Sequence, residues 1–237
     1  MLQRLNKWIA ARLTPGEETG LHLTVGVLLM LMMGWAFAEI AEEVVEGEEL
    51  TVLDGQVSDW FVANHSVLLT RFMFFITHWH GPPGILVMTA VLGMWMWLRR
   101  ERYWLATLLL TVPGGMLINV LLKYLFQRPR PQFDEPLLTL ATYSFPSGHA
   151  SAATLFYGLL VAYLVRTTHR RRGWALAAAT AMAMVLLVAT SRVYLGAHYL
   201  SDVMAAIAEG CLWLTICITS ISTLRRRRAR LAKASRS

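Results

Sequence analysis

The sequence predicts an all-α membrane protein, a bundle of six transmembrane helices with short interfacial helices between the first and second spans. Three observations lead there. Apolar residues make up 56% of the 237-residue chain and collect in blocks near the ~20 residues a helix needs to cross a bilayer. Only 16% of residues are charged. The Lys and Arg residues sit beside the apolar blocks, where they act as topology signals. The last point also disposes of nucleic-acid binding, which a net charge of +7 and a pI of 9.8 would otherwise suggest.

The first span is expected at about 21–41, behind a basic leader carrying Arg4, Lys7 and Arg12. Ala36-Phe37-Ala38 has the small residues of a cleavage site, but the apolar run is long for a signal sequence and reads as an uncleaved helix. The outer segment 42–81 opens with Glu42, Glu43, Glu46, Glu48 and Glu49, read as a solvated face, and continues amphipathically through Trp60, Phe61, Leu68 and Phe72. Its apolar part from Val67 to Ile76 is too short to cross, carries Arg71 and ends at Gly81-Pro82-Pro83-Gly84, so it is expected at the interface. Further spans follow at about 82–98, 103–123, 149–166, 173–191 and 200–221, and a basic tail occupies 223–237. The whole of 1–237 reads as one domain with its core at about 20–222.

Six spans place both termini on one side. The three leader cations, those of Arg99–Arg102, those of Arg166–Arg172 and those of Arg225–Arg236 all fall on that side, 17 of the 22 Lys and Arg, which makes it cytoplasmic. A multi-pass protein of a bacterial-type inner membrane follows. The remaining cations, Arg71, Lys123, Arg128, Arg130 and Arg192, lie on the periplasmic face, where the charge rule gives no reason for them to gather.

Three clusters mark the outer helix ends: Lys123 with Arg128-Pro129-Arg130-Pro131, then Pro146-Ser147-Gly148-His149, then Ser191-Arg192 with His198 and Asp202. Singly, Lys123 and Arg130 read as snorkelling residues, Arg192 as a helix-end anchor and Ser147 as an N-cap. Jointly, ionisable groups at one membrane depth define a candidate site. Ser147 and Gly148 open a helix whose amides and dipole favour an anion. Arg130 and Arg192 offer bidentate donors to phosphoryl oxygens, and Lys123 a point charge. His198 and Asp202 share a helical face. Asp202 can accept from first-turn amides, or from Nδ1 of His198, which would leave Nε2 free as a nucleophile with His149 as proton donor.

These residues resemble the three signature motifs of the type-2 phosphatidic acid phosphatase superfamily, the lipid phosphate phosphatases: Lys123-x6-Arg130-Pro131, Pro146-Ser147-Gly148-His149, and Ser191-Arg192-x5-His198-x3-Asp202. The resemblance implies a cofactor-free, metal-independent hydrolase acting on a membrane lipid phosphate at the periplasmic face. It implies that His198 attacks phosphorus to give a phosphohistidine, that His149 protonates the departing group, and that Lys123, Arg130, Ser147, Gly148 and Arg192 cradle the phosphoryl oxygens. Undecaprenyl diphosphate, phosphatidylglycerol phosphate and phosphatidic acid are all admissible substrates.

Other readings carry less. A phosphotransferase would use the same residues. A transporter would need its polar groups, here Asn119, Lys123, Asp202 and Glu209, near the midplane on broken helices, and most cluster at one surface. A metal site at Thr77-His78-Trp79-His80 lacks supporting carboxylates or cysteines, and these histidines fit an interfacial belt. Cys211 and Cys217 lie on different sides of one helix and form neither a disulfide nor a metal site.

Overall fold

The computed structural model describes residues 20–47, 49–133, 136–138, 140–168 and 171–235. The basic leader with Arg4, Lys7 and Arg12, together with Glu48, Arg170 and Arg236, lies outside them. The described residues form eight helices: α1 (Leu21–Glu46), α2 (Glu49–Ala63), α3 (Val67–Trp79), α4 (Pro82–Leu98), α5 (Arg102–Phe126), α6 (Gly148–Thr167), α7 (Arg171–Tyr194) and α8 (Leu200–Ala234).

Helices α1, α5, α6, α7 and α8 are each long and apolar enough to cross a membrane. Helix α4, expected to span alone, has only 17 residues and qualifies only together with α3, from which it is bent by 51°. The span count is therefore five, or six with α3 and α4 as one broken element. The break has a cause in sequence. Gly81 caps α4 and Pro82 and Pro83 cannot continue the preceding ladder. A Cβ on Gly84 would lie 2.1 Å from the carbonyl oxygen of Trp79, so only glycine lets the two helices join this tightly.

Helix α6 is the hub, packing on α4, α5, α7 and α8. Its residues from Ala150 to Phe156 are all buried, and the small ones among them let neighbouring backbones approach. The largest apolar cluster joins Ile85 and Met96 of α4, Leu108 and Val112 of α5, and Leu155 and Leu159 of α6. On the outside, Leu31, Trp35, Val91, Leu125 and Leu176 are exposed, as lipid-facing side chains are and soluble ones rarely are in such number. Pro113 sits inside α5, which neighbouring helices in a bundle tolerate. Helix α1 runs past its expected end, so Glu42, Glu43 and Glu46 lie on its last turns and the Glu43 carboxylate accepts from the amide of Leu50 at 3.3 Å. Helix α8, 35 residues and about 52 Å long, outruns the bilayer core and carries Arg225–Arg228 beyond it as a helix. Of the two cysteines, Cys217 is buried, Cys211 partly so, and both are free.

Candidate active site

Because α5 to α8 alternate in direction, the end of α5, the start of α6, the end of α7 and the start of α8 meet at one end of the bundle. All eight residues singled out from sequence are there. Lys123 rises from the last turn of α5 and its Nζ donates to the carbonyl oxygens of Tyr143 (2.8 Å) and Ser144 (3.0 Å), tying the 127–147 loop to the helix. Helix α7 ends in the left-handed residue Gly196 (φ +67°), with the amides of Ala197 and His198 returning to the carbonyl of Arg192 at 3.0 and 3.3 Å. That reversal points His198 back into the bundle end. A Cβ on Gly196 would also lie 2.7 Å from the ring of Phe133.

His198 is 2% exposed and Asp202 fully buried. Both alternatives for Asp202 are realised at once. Its Oδ2 accepts from Nδ1 of His198 at 3.2 Å and from the amide of Tyr199 at 2.9 Å, with a short bond from Ser144 Oγ as well. With Nδ1 donating, Nε2 is the unprotonated nitrogen, and its lone pair accepts from Arg130 Nη1 at 3.3 Å. Burial pushes the His198 imidazole down to about 3, Asp202 opposing the shift and the Arg192 and Lys123 charges adding to it, so the ring is neutral in ordinary buffers.

The arginines differ from the expectation of two free bidentate donors. Arg130 spends every N–H inside the protein: Nε on Thr142 O (2.6 Å), Nη1 on Ala197 O (2.5 Å) and His198 Nε2, and Nη2 on Thr142 Oγ1 (2.9 Å) and Tyr143 O (3.1 Å). A phosphoryl oxygen would take the Nη1 bond that now caps Nε2. Burial lowers the Arg130 guanidinium from its usual value, Asp202 opposing, without threatening its charge. Arg192, 2% exposed, is held through Nη1 on Thr77 Oγ1 at 2.5 Å while its Nε is buried without a partner. Ser147 is not a side-chain N-cap. Its Oγ is buried and unpartnered, and its amide, expected to face an anion, donates instead to Asp202 O at 3.0 Å. The anion-facing amides are thus those from Gly148 onward, at the positive end of α6. Ser147 Oγ and Arg192 Nε are two of ten buried side-chain atoms without a partner among the described residues, and the two that stand on the motif residues, where an anion would supply the missing acceptor.

His149 follows on the first turn of α6, its Nε2 3.4 Å from where a Cβ on Gly81 would lie, so the α3–α4 break forms a wall beside it. Thr77 and His80 are buried, which corrects the belt reading for His80: its Nε2 contacts the Tyr157 hydroxyl at 2.8 Å and its Nδ1 the carbonyl of Ile76 at 2.8 Å. His78 and Trp79 are exposed, as a belt requires. Further into the bundle, Asn119 Nδ2 lies 3.5 Å from Glu209 Oε2.

Residues 103–226 match the PAP2 superfamily. The chain belongs to that superfamily. Among PAP2 relatives, phosphatidylglycerophosphatase B of Bacillus subtilis is 33% identical over 150 residues, covering 61% of this chain and 71% of the relative. Undecaprenyl-diphosphatase BcrC of the same organism is 29% identical over 153 residues, covering 62% and 72%. The crystal structure of a transmembrane PAP2-type phosphatidylglycerolphosphate phosphatase from Bacillus subtilis superposes with a TM-score of 0.73 at 26% identity, over 79% of this chain and 93% of that one. Aquifex aeolicus LpxE shares the fold with a TM-score of 0.56 at 19% identity, over 70% and 94%. With its apolar helices and a transmembrane PAP2 relative, the chain is a multi-pass membrane protein.

Sequence reasoning passed over Asp54, Ser144 and Tyr199, named Thr77 only within the discounted metal site, and assigned Arg128 no role. Asp54 and Thr77 belong to helices far from the motifs in sequence, and nothing local marks them. Arg128 did stand in the Arg-Pro-Arg-Pro run.

Proposed function

We propose that this protein is a metal-independent lipid phosphatase whose nucleophile is His198. The observation that carries the proposal is the orientation of that ring, Nδ1 on Asp202 and the Nε2 lone pair beneath Arg130 Nη1, beside the unpartnered donors Ser147 Oγ and Arg192 Nε. Nε2 attacks phosphorus as the bond to the lipid oxygen breaks. Asp202 stabilises the charge this places on the ring. His149 gives the leaving oxygen its proton, then takes one from the water that attacks the phosphohistidine, releasing inorganic phosphate and restoring Nε2. Lys123, Arg130, Arg192, Ser147 and the Gly148 amide hold the equatorial oxygens, donating most strongly where charge accumulates.

Phosphatidylglycerol phosphate is the favoured substrate, supported by the Bacillus subtilis phosphatidylglycerophosphatase match in sequence and in structure. Undecaprenyl diphosphate is the second reading, supported by BcrC. The asymmetry of Lys and Arg along the sequence supports a site on the periplasmic face of an inner membrane with both termini in the cytoplasm. The test is phosphate release by the purified, detergent-solubilised protein in excess chelator, across phosphatidylglycerol phosphate, undecaprenyl diphosphate and phosphatidic acid. Free phosphate with fastest turnover of the first is expected. Activity that vanishes in chelator and returns with a divalent ion, or phosphoryl transfer to an acceptor other than water, would overturn the proposal.

A further inference from the structure

Beside the catalytic pair lies a second buried charge cluster that the reaction does not touch. Asp54 on α2 has no exposed surface, and Arg128 is 9% exposed. Arg128 Nη2 donates to Asp54 Oδ2 at 2.8 Å, and Nη1 donates to Asp202 Oδ1 at 2.7 Å and to Ser201 Oγ at 2.7 Å. Ser201 closes the ring, its amide donating to Asp54 Oδ1 at 2.9 Å and its hydroxyl to Asp54 Oδ2. The Tyr199 ring lies 4.3 Å from the guanidinium carbon, covering its face.

We propose that Asp54 and Arg128 are positioning residues for the nucleophile, a carboxylate–guanidinium–carboxylate chain that fixes Asp202 and through it the Nδ1 proton of His198. The proposal rests on the reading of His198 as nucleophile. Arg128 takes Oδ1 of Asp202 and leaves Oδ2 to His198, Tyr199 and Ser144, so the two oxygens have separate duties. Burial works against the Arg128 charge, but Asp202 and Asp54 outweigh it and raise the guanidinium above its usual value. Asp54 in turn draws off part of that cation. With Asp54 neutral, the whole guanidinium charge would fall on Asp202, which would stabilise a cationic ring less well during phosphoryl transfer. Without Arg128, two buried carboxylates would face each other uncompensated. Arg128 is not a phosphate ligand in this arrangement, because its Nη groups are ion-paired to two buried carboxylates and its face is covered by Tyr199, whereas Arg130 bonds only neutral acceptors that a phosphoryl oxygen can replace. Asp54 lies outside the 103–226 stretch that matches the superfamily, so α2 contributes to the site something the matched segment does not contain.

The test uses the full-length detergent-solubilised protein, with phosphatidylglycerol phosphate and p-nitrophenyl phosphate as substrates. Asp54→Asn should lower kcat on the order of 10–100-fold, the usual cost of losing a partner that orients a histidine, and leave KM unchanged. In an Asp202→Asn background the same change should add little, because the chain acts only through Asp202. Arg128→Lys, which keeps the charge and loses the fork, should not rescue the function. Tyr199→Leu, at a partly buried position, should give a smaller defect of the same kind and serves if Asp54→Asn fails to fold. A merely structural ion pair predicts a lower unfolding midpoint with wild-type kcat for the folded fraction, or losses that add in the double variant, and either result overturns the proposal. If the wild-type protein releases no phosphate from either substrate, the phosphatase reading falls and this one with it; if wild type turns over and Asp54→Asn equals it, only this one falls.

Discussion

Replacing Asp202 with asparagine changes one oxygen into an amide nitrogen at a carboxylate whose oxygens are both spoken for. Oδ1 faces the Arg128 Nη1 donor at 2.7 Å, and Oδ2 faces the His198, Tyr199 and Ser144 donors. An amide NH₂ cannot point at a guanidinium, so it lands on the Oδ2 side, against the Tyr199 N–H and His198 Nδ1. The imidazole then has to accept at Nδ1 and carry its proton on Nε2, the atom that must attack. For a carboxylate that fixes a catalytic histidine's tautomer, that exchange costs about 10⁴-fold in kcat. Here Ser144 Oγ, 3.4 Å from Nδ1, can partly substitute as an acceptor, which suggests a loss of about 10³–10⁴-fold, or ~4–5.5 kcal/mol of barrier. Stability should fall by about 1–3 kcal/mol from the donor left facing a donor. The assay is phosphate release under saturating substrate, with thermal unfolding measured on the same sample. Turnover within tenfold of wild type in a folded Asp202→Asn protein would refute the tautomer argument.

Three more outcomes follow from the same geometry. His149→Ala should cost ~10²–10⁴-fold with a lipid alkoxide leaving group and clearly less with p-nitrophenolate, and equal losses would remove His149 as the acid. Because the folded His198 takes up its proton only near 3 while the unfolded one does so near 6.5, the unfolded state binds more protons between those values. Stability should therefore decline as pH falls from 6.5 toward 3, and His198→Asn should flatten that slope; a wild-type slope unchanged by the substitution would count against the buried neutral ring. In a background with Cys211 and Cys217 replaced by serine, cysteines at Asn64 or Gln132 should react with an impermeant maleimide from the periplasm, and one at Gly173 only after the membrane is opened. The reverse pattern would move the site to the cytoplasm.

The spans and the site were legible for different reasons. Long apolar blocks announce a membrane helix because lipid penalises any polar side chain, and α1, α5, α6, α7 and α8 followed directly. The α3–α4 element was harder: Val67–Trp79 alone is too short, Pro82–Leu98 is marginal, and whether they act together depends on a bend that Gly84 permits but does not announce. The residues of the candidate cradle could be read because they stand in three spaced motifs, and the structure gathers them at one bundle end. What they donate to could not. That Arg130 caps Nε2, that the Ser147 amide turns to Asp202, and that Asp54 reaches Arg128 from α2 are consequences of tertiary packing across separations as long as 74 residues. His80 shows the limit in the other direction, a histidine read as interfacial that is buried and bonded to Tyr157 on α6 and to the Ile76 carbonyl.

The claim on which the rest depends is that phosphorus is bonded to Nε2 of His198 during turnover. Rapid quenching of the purified protein with phosphatidylglycerol phosphate labelled in its terminal phosphate, followed by peptide mapping, addresses it directly. The account predicts label on the peptide carrying His198, stable in base and lost in acid, and none in His198→Asn. An acid-stable, base-labile adduct, or label retained when His198 is replaced, would contradict it.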